Sequence, residues 1–276
     1  MFTHCNEYRG LFGDLQRLVE DEIRYYQVDD QVIYPGVTSV ISFINRKKFA
    51  SWRARVGNEQ ANKTTKQATT RGTRLHHLFE VYLENGDYKS HEEWNVPLMQ
   101  LMFNAAKPHL DSRLDNIYQQ ETKMLSHRLN LAGTVDLICE VDGELAIVDF
   151  KTSKEEKPEE WLEDYFVQLS AYWAMFSERT GVVPKKLVVF LVAENGDVQI
   201  VDESTPSAIS IKEDIANSYP SVKALKDDEP LLAMTSIDAA ISKAQVLIFA
   251  PKIRKTGQDI KIEINSKFKD AVSNIK

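Results

Sequence analysis

The order of apolar and polar positions divides the chain into a helix-rich first part and a strand-rich middle. Residues 9–27 read as a short helix, overlapping a small hairpin of residues 24–28 and 31–34 around Asp29-Asp30. Pro35-Gly36 marks a turn, and Val37–Ile44 leads into two helices, 46–68 and 70–84, broken near residues 69–72, with Gly86 ending the second. A further helix covers residues 96–110. Beyond Asn116 the period changes to that of strands: 118–126, 131–141 and 144–151. A helix over 159–179, closed by Gly181, then precedes a strand pair, 186–193 and 197–202, turning on Asn195-Gly196. After about residue 205 the signals weaken into short helices and a late hairpin, 245–250 with 259–264. Helices first, then a meander, a helix and more strands imply an α/β fold with a central mixed sheet flanked by helices and a helical N-terminal part. The expected organisation is a mainly helical part over 1–115, a sheet core over 116–204 in the same domain, and a C-terminal extension over 205–276.

Composition narrows the class. With 43% apolar and 27% charged residues, the 276-residue chain has the make-up of a water-soluble globular protein. No apolar run approaches the ~18 residues that span a bilayer, and the acidic, core-less N-terminus resembles neither a secretory signal nor a transit peptide. Cys5 and Cys139 are too far apart for a metal-spaced pair, so a reducing, cytoplasmic setting is expected. Net charge is −7, but residues 46–74 hold nine Lys or Arg against the single acid Glu59, a local +8 that leaves −15 for the remainder. One basic face on an acidic body suits a polyanion groove. Residues 252–276 carry a smaller excess, seven basic residues against three acids, read as a solvated edge.

The candidate chemistry lies in Gly133-Thr134-Val135-Asp136 and Asp149-Phe150-Lys151-Thr152. Asp142-Gly143 between them is a preferred type I′ hairpin turn. If it closes the hairpin, Val141 faces Glu144, Asp136 faces Asp149, and Thr134 faces Lys151, with Lys151 on Asp149's face. Opposed Cβ atoms stand roughly 4.5–5.5 Å apart, and two carboxylates at that spacing repel by about 3 kcal/mol at an effective dielectric of 20. A hard divalent cation such as Mg²⁺ or Mn²⁺ relieves the repulsion, and an adjacent Lys is what a phosphoryl-cleaving site adds, orienting water and offsetting developing charge. An acid-x-Lys triplet alone means little, because four others occur: Asp87-Tyr88-Lys89, Glu121-Thr122-Lys123, Glu155-Glu156-Lys157 and Asp259-Ile260-Lys261. Only Asp149-Phe150-Lys151 ends an apolar strand and faces a second acid.

Four segments in order carry a resemblance: Arg71-Gly72-Thr73-Arg74-Leu75-His76-His77-Leu78-Phe79-Glu80, Gly133 to Ile138, Asp149 to Thr152, and Gln168-Leu169-Ser170-Ala171-Tyr172. Together they resemble the PD-(D/E)xK nuclease superfamily, in particular its RecB-like branch. Tyr34 to Val40 and Trp52 to Ala61 are similar to the mitochondrial genome maintenance exonuclease group and its phage and bacterial relatives. The resemblance implies a restriction-endonuclease-like core and metal-dependent hydrolysis of DNA to 5′-phosphate and 3′-hydroxyl products. It implies that Asp136, Asp149 and Lys151 are catalytic, and that His76, Asp136, Asp149 and the Phe150 carbonyl hold Mg²⁺ or Mn²⁺.

Glu80, one turn from His76, and Glu121 are candidates for a supporting or second-metal role, and His77 should point elsewhere. Gln168 and Tyr172, one turn apart, would hold DNA or support Lys151. Arg71, Arg74 and Thr152 would meet phosphates, as would Arg53 and Arg55; Trp52 would stack on a base or pack in the core. Small polar residues such as Thr134 and Ser153 near the strand ends are usually structural. Some relatives hold an iron–sulfur cluster with four cysteines; two isolated cysteines exclude that ligation, so no cluster is expected.

An exonuclease preferring single-stranded DNA ends is the leading expectation. A structure-specific or nicking endonuclease would use the same metal site, and a non-catalytic replication or recombination accessory protein is the reading from a different class. No phosphate-binding Gly-x-x-x-x-Gly-Lys loop is present, so any unwinding must come from a helicase or another replication or recombination partner. No membrane partner is implied.

Overall fold

The structure is a computed structural model that describes residues 1–20, 23–29, 32–205, 252–256 and 259–263. Its centre is a five-stranded mixed sheet of order β4-β5-β6-β7-β8, with β4 at Leu114–Ser126, β5 at Leu131–Val141, β6 at Glu144–Ser153, β7 at Lys186–Ala193 and β8 at Val198–Ser204. Only β6 and β7 run parallel, joined by helix α5 (Glu163–Thr180); the other neighbours are antiparallel. Helix α5 ends at Gly181, whose φ of 72° is the left-handed cap that glycine tolerates.

Side-chain alternation buries the sheet on both faces. Along β7, Leu187, Val189 and Leu191 join the α5 side with Leu169, Tyr172 and Phe176. Val188, Phe190 and Val192 join the opposite layer, with Leu75, Leu78 and Phe79 of helix α3 (Asn58–Leu83) and Met102 and Phe103 of helix α4 (Pro97–Arg113). A helix on each face therefore pins the ends of β5 and β6 between them.

A second sheet of order β1-β2-β3-β9-β10 is wholly antiparallel: β1 Gln16–Glu20, β2 Ile23–Gln27, β3 Val32–Pro35, β9 Lys252–Thr256 and β10 Asp259–Glu263. The helix expected over 9–27 is instead β1 and β2. Pairing with β3 and burial of Tyr25 and Tyr26 outweigh the local helical spacing of the apolar residues. The late hairpin is offset: β9 takes the place of the expected strand at 245–250, which lies outside the described residues, as do the expected short helices after 205.

Helices α1 (Val37–Ile44) and α2 (Arg46–Val56) follow. The break between basic helices falls at Gly57, with φ 84°, and not near 69–72; α3 runs through Gly72 without interruption. No helix among the described residues is long and apolar enough to cross a membrane.

Candidate active site

The β5–β6 hairpin turns as its sequence requires. Asp142 (φ 53°) and Gly143 (φ 79°) both take the left-handed conformation of a type I′ turn, and Val141 pairs with Glu144 through to Leu137 with Val148. The ladder then ends one step short of Asp136 and Asp149. Strand β5 continues to pair with β4 as far as Leu131, while β6 continues with β7 as far as Ser153, so the two strands part company at the acids. The Asp136 carboxylate occupies the opening: its Oδ2 accepts the Phe150 N–H at 2.8 Å, satisfying a donor that the ladder no longer serves.

This parting corrects two expectations. Asp136 and Asp149 do not pair directly across the hairpin, because the ladder stops at Leu137 and Val148. Thr134 does not face Lys151; it pairs with Lys123 of β4, and its hydroxyl lies 3.1 Å from the Tyr26 hydroxyl.

Asp149 is 1% exposed and enclosed by partners. The Gln168 side-chain amide of α5 donates to its Oδ1 at 2.8 Å, and the Lys151 ammonium pairs with its Oδ2. Burial pushes the Asp149 carboxyl up to about 6; Lys151 opposes that shift and Asp136 adds to it. Burial pulls the Lys151 pKa down, but attraction to Asp149 and Asp136 outweighs it, so the ammonium form is favoured. The Tyr165 ring, 5.1 Å from Lys151 Nζ, adds a cation–π wall. Tyr165 was not anticipated, although its place one turn before Gln168 on α5 was a usable signal.

Across the opening, helix α3 presents His76, whose Nδ1 is 3.6 Å from Asp136 Oδ2. Glu121 of β4 completes the cluster: one donor atom each from His76, Glu121 and Asp136 lies within 4.8 Å of the others. The register on either side of Glu121, Gln120 with Leu137 and Thr122 with Val135, sets it across from Asp136. Its φ of 45° is a left-handed conformation that costs a non-glycine residue energy and is concentrated at functional positions. Crowding by surrounding protein, then repulsion from Asp136 and Glu80, raises the Glu121 carboxyl to about 8, while water on its open side screens part of that repulsion.

These donors fit a hard divalent cation. Imidazole plus two carboxylates is an accepted ligand set for Mn²⁺ or Mg²⁺, and a cation there would neutralise acids that otherwise repel. Asp149 stands just outside the threesome and is electrostatically coupled to both Asp136 and His76. Glu80 is not part of the threesome; its Oε2 lies 3.7 Å from His77 Nδ1, while its charge still reaches Glu121.

The remaining predicted residues fall into three settings. Gln168 and Tyr172 are buried, so Gln168 acts on Asp149, and the Tyr172 ring packs on Gly133, where an added Cβ would come within 2.6 Å of it. That close approach explains the glycine in the β5 motif. Phe150 is buried in the α3–α4 layer, its ring 4.9 Å from that of Phe79.

Arg71 and Arg74 line a groove of about 520 Å³ with Lys63, Lys66 and Lys154. Within it Arg71 is buried and tied to Glu194 and, at 3.4 Å, to the Thr152 carbonyl, so it forms wall, whereas Arg74 is exposed. Lys154 and Glu194 had no marker in the sequence.

Arg53, Arg55 and Trp52 lie on α2, which has no buried residue. Trp52 is half-buried against Phe49, ring centroids 5.3 Å apart, and so belongs to a surface pair and not to the core.

Two separated strand ends carrying acids and a lysine, a histidine opposite, and a basic groove alongside define a phosphodiesterase of the restriction-endonuclease type. The family comparison agrees: the model of the PD-(D/E)XK nuclease superfamily matches residues 49–261, and the chain belongs to that superfamily. A search of curated proteins finds no match. The protein is a nuclease with the fold expected of that superfamily, whose members typically use Mg²⁺ or Mn²⁺ and act on DNA.

Proposed function

We propose that this protein is a metal-dependent exonuclease that acts on single-stranded DNA ends and leaves 5′-phosphate and 3′-hydroxyl products. The convergence of His76, Glu121 and Asp136 beside the Asp149–Lys151 pair carries the catalytic part of this reading. His76, Glu121, Asp136 and Asp149, with the Phe150 carbonyl, would hold the cation. Bound there, a divalent ion would supply a water of lowered pKa and neutralise charge on the phosphate.

The chain's own residues do the rest. The Phe150 N–H fixes the Asp136 carboxylate, and the Gln168 amide fixes Asp149. The Lys151 ammonium, held protonated by its acids, orients the attacking water and meets negative charge as it builds on the phosphoryl oxygens. Glu80 acts on this centre through its charge on Glu121, and Thr152, next to Lys151 on β6, lies by Gly72 of α3.

The preference for single strands rests on α2 and the C-terminal end of α1. Phe43 and Phe49 are exposed, with Arg46 at 3.9 Å over the Phe43 ring and Arg53 at 5.8 Å over the Phe49 ring. Aromatic rings interleaved with cations stack unpaired bases while holding their phosphates; a duplex hides those base faces. Arg55, Arg74 and the lysines of the groove would carry the backbone toward the cleft. The resemblance of Tyr34 to Val40 and of Trp52 to Ala61 to the mitochondrial genome maintenance exonuclease group and its phage and bacterial relatives would fit action on ends, in DNA replication, repair or recombination within the cytoplasm, with a helicase supplying single strands.

The deciding experiment offers 5′-labelled, 3′-labelled and closed circular single-stranded DNA with Mg²⁺, Mn²⁺ or EDTA. Loss of the linear strands alone, in the presence of metal, is expected, and the order of label release gives polarity. Cleavage of the circle would replace this reading with an endonuclease on the same site; binding without cleavage would leave an accessory protein.

A further inference from the structure

Helix α3 places two histidines in succession, and successive helical residues point about 100° apart. His76 turns to the cleft. His77 turns to the two short 3₁₀ turns at Tyr88–Ser90 and Glu92–Asn95, where it meets His91 and Glu93. We propose that His77, His91 and Glu93 form a second metal site, separate from the catalytic cleft, that takes a borderline transition-metal ion, Zn²⁺.

The donor geometry is the first support. One ligand atom from each of the three residues lies within 4.8 Å of the other two. His77 Nε2 and His91 Nδ1 face each other at 2.9 Å, their rings 4.8 Å apart and steeply inclined at 68°. With Zn–N bonds of about 2.0–2.1 Å, a tetrahedral ion separates two nitrogens by about 3.3 Å. The rings need open only by a few tenths of an ångström, and both are partly exposed.

The surroundings of the ligands are the second support. The other nitrogen of His77, Nδ1, lies 3.7 Å from the Glu80 carboxylate. A carboxylate on the far nitrogen favours the proton there, which leaves the Nε2 lone pair aimed at the site; metal-binding histidines are habitually held this way. The segment bearing the other two ligands is clamped. Tyr88 stacks on Phe103 at 4.4 Å, Trp94 meets Phe103 edge-on, and Gln100 donates to the Trp94 carbonyl at 2.7 Å. The donors are thus presented by two packed elements and need no loop rearrangement to converge.

Ligand chemistry separates the two sites. Two imidazoles and one carboxylate suit Zn²⁺, whereas Mg²⁺ prefers oxygen donors, which outnumber the single imidazole of His76 in the cleft. The ion would tie α3 to the turns preceding α4, with a water completing its coordination.

The test uses full-length protein carrying Glu121→Gln and Asp136→Asn, so that the cleft no longer competes for metal. Equilibrium dialysis against Zn²⁺ in millimolar Mg²⁺ should retain one Zn²⁺ per chain, and Zn²⁺ should raise the melting temperature. Adding His91→Ala should weaken Zn²⁺ binding by about 100-fold or more, beyond the 10–100-fold typical of losing a residue behind a ligand. Adding Glu93→Gln should weaken it as well and decides the matter if the His91 variant fails to fold, and Co²⁺ in place of Zn²⁺ should give a tetrahedral visible spectrum that the same variants abolish. Failure of the folded background protein to retain Zn²⁺, or unchanged retention in a folded ligand variant, would overturn the proposal.

Discussion

The proposed catalytic cleft and helix α2 handle charge in opposite ways. In the cleft each critical group is held by another: Asp136 by the Phe150 N–H, Asp149 by Gln168 and Lys151, Gly133 by the Tyr172 ring. These residues sit at the ends of strands clamped between α5 and α3. Helix α2 is different. It has no buried residue, and polar contacts such as Arg53 to Asn62 at 2.7 Å tie it to the neighbouring start of α3. On the proposed function the two regions divide the labour: groups that would meet a transition state are fixed by the core, while groups that would gather a flexible polyanion ride on a lightly anchored helix.

Substitutions can break that comparison. Next to loss of a ligand acid, the largest effect is expected for Lys151→Ala: about 10²–10³-fold in kcat with strand affinity preserved, read by single-turnover hydrolysis and a binding titration. Gln168→Leu releases Asp149 and should cost about 10–100-fold in metal affinity or activity, seen as a shift in the Mg²⁺ dependence of the rate. On α2 the parameter changes. Phe49→Ala with Trp52→Ala should raise KM for single-stranded DNA by roughly 5–150-fold, equivalent to 1–3 kcal/mol of stacking, with kcat intact at saturation. The smallest effect is assigned to Arg55→Ala, which should lower the salt-dependence slope of binding by about 0.7 without altering cleavage of bound strands. If α2 substitutions lowered kcat as Lys151→Ala does, the division of labour would fail.

The sequence made the cleft legible where a local rule was decisive. Asp142-Gly143 fixes one turn type, one turn type fixes one register, and that register brings Asp136 and Asp149 to the same end of the hairpin. The parting of the strands beyond Leu137 and Val148 was not legible, because it depends on β4 and β7 drawing β5 and β6 apart. Thr134 was therefore misplaced. Glu121 was marked as an acid of secondary interest; its left-handed backbone and its place opposite Asp136 emerge only from the sheet.

Elsewhere the errors have physical causes. The 9–27 segment spaces its apolar residues like a helix, but its two strands pair with each other and with β3, and Tyr26 joins a small core with Ala132 of β5, far along the chain. Glycine misled the reading of the basic helices. Gly72 is tolerated inside α3, with the Thr152 hydroxyl 3.7 Å from where its Cβ would be, while Gly57 takes the positive φ that ends α2. His91 and Glu93 had no sequence marker, because their meeting with His77 depends on the packing of Tyr88 and Trp94.

The most direct test of the central claim is single-turnover hydrolysis of end-labelled single-stranded DNA across a range of Mg²⁺ concentrations, for the wild type and Asp136→Asn. The wild-type rate should rise to saturation with Mg²⁺ and vanish in EDTA, and the Asp136→Asn protein should bind the strand but not cut it at any Mg²⁺ concentration. Cleavage that persists in EDTA, or a folded Asp136→Asn protein cutting at the wild-type rate, would contradict the central claim.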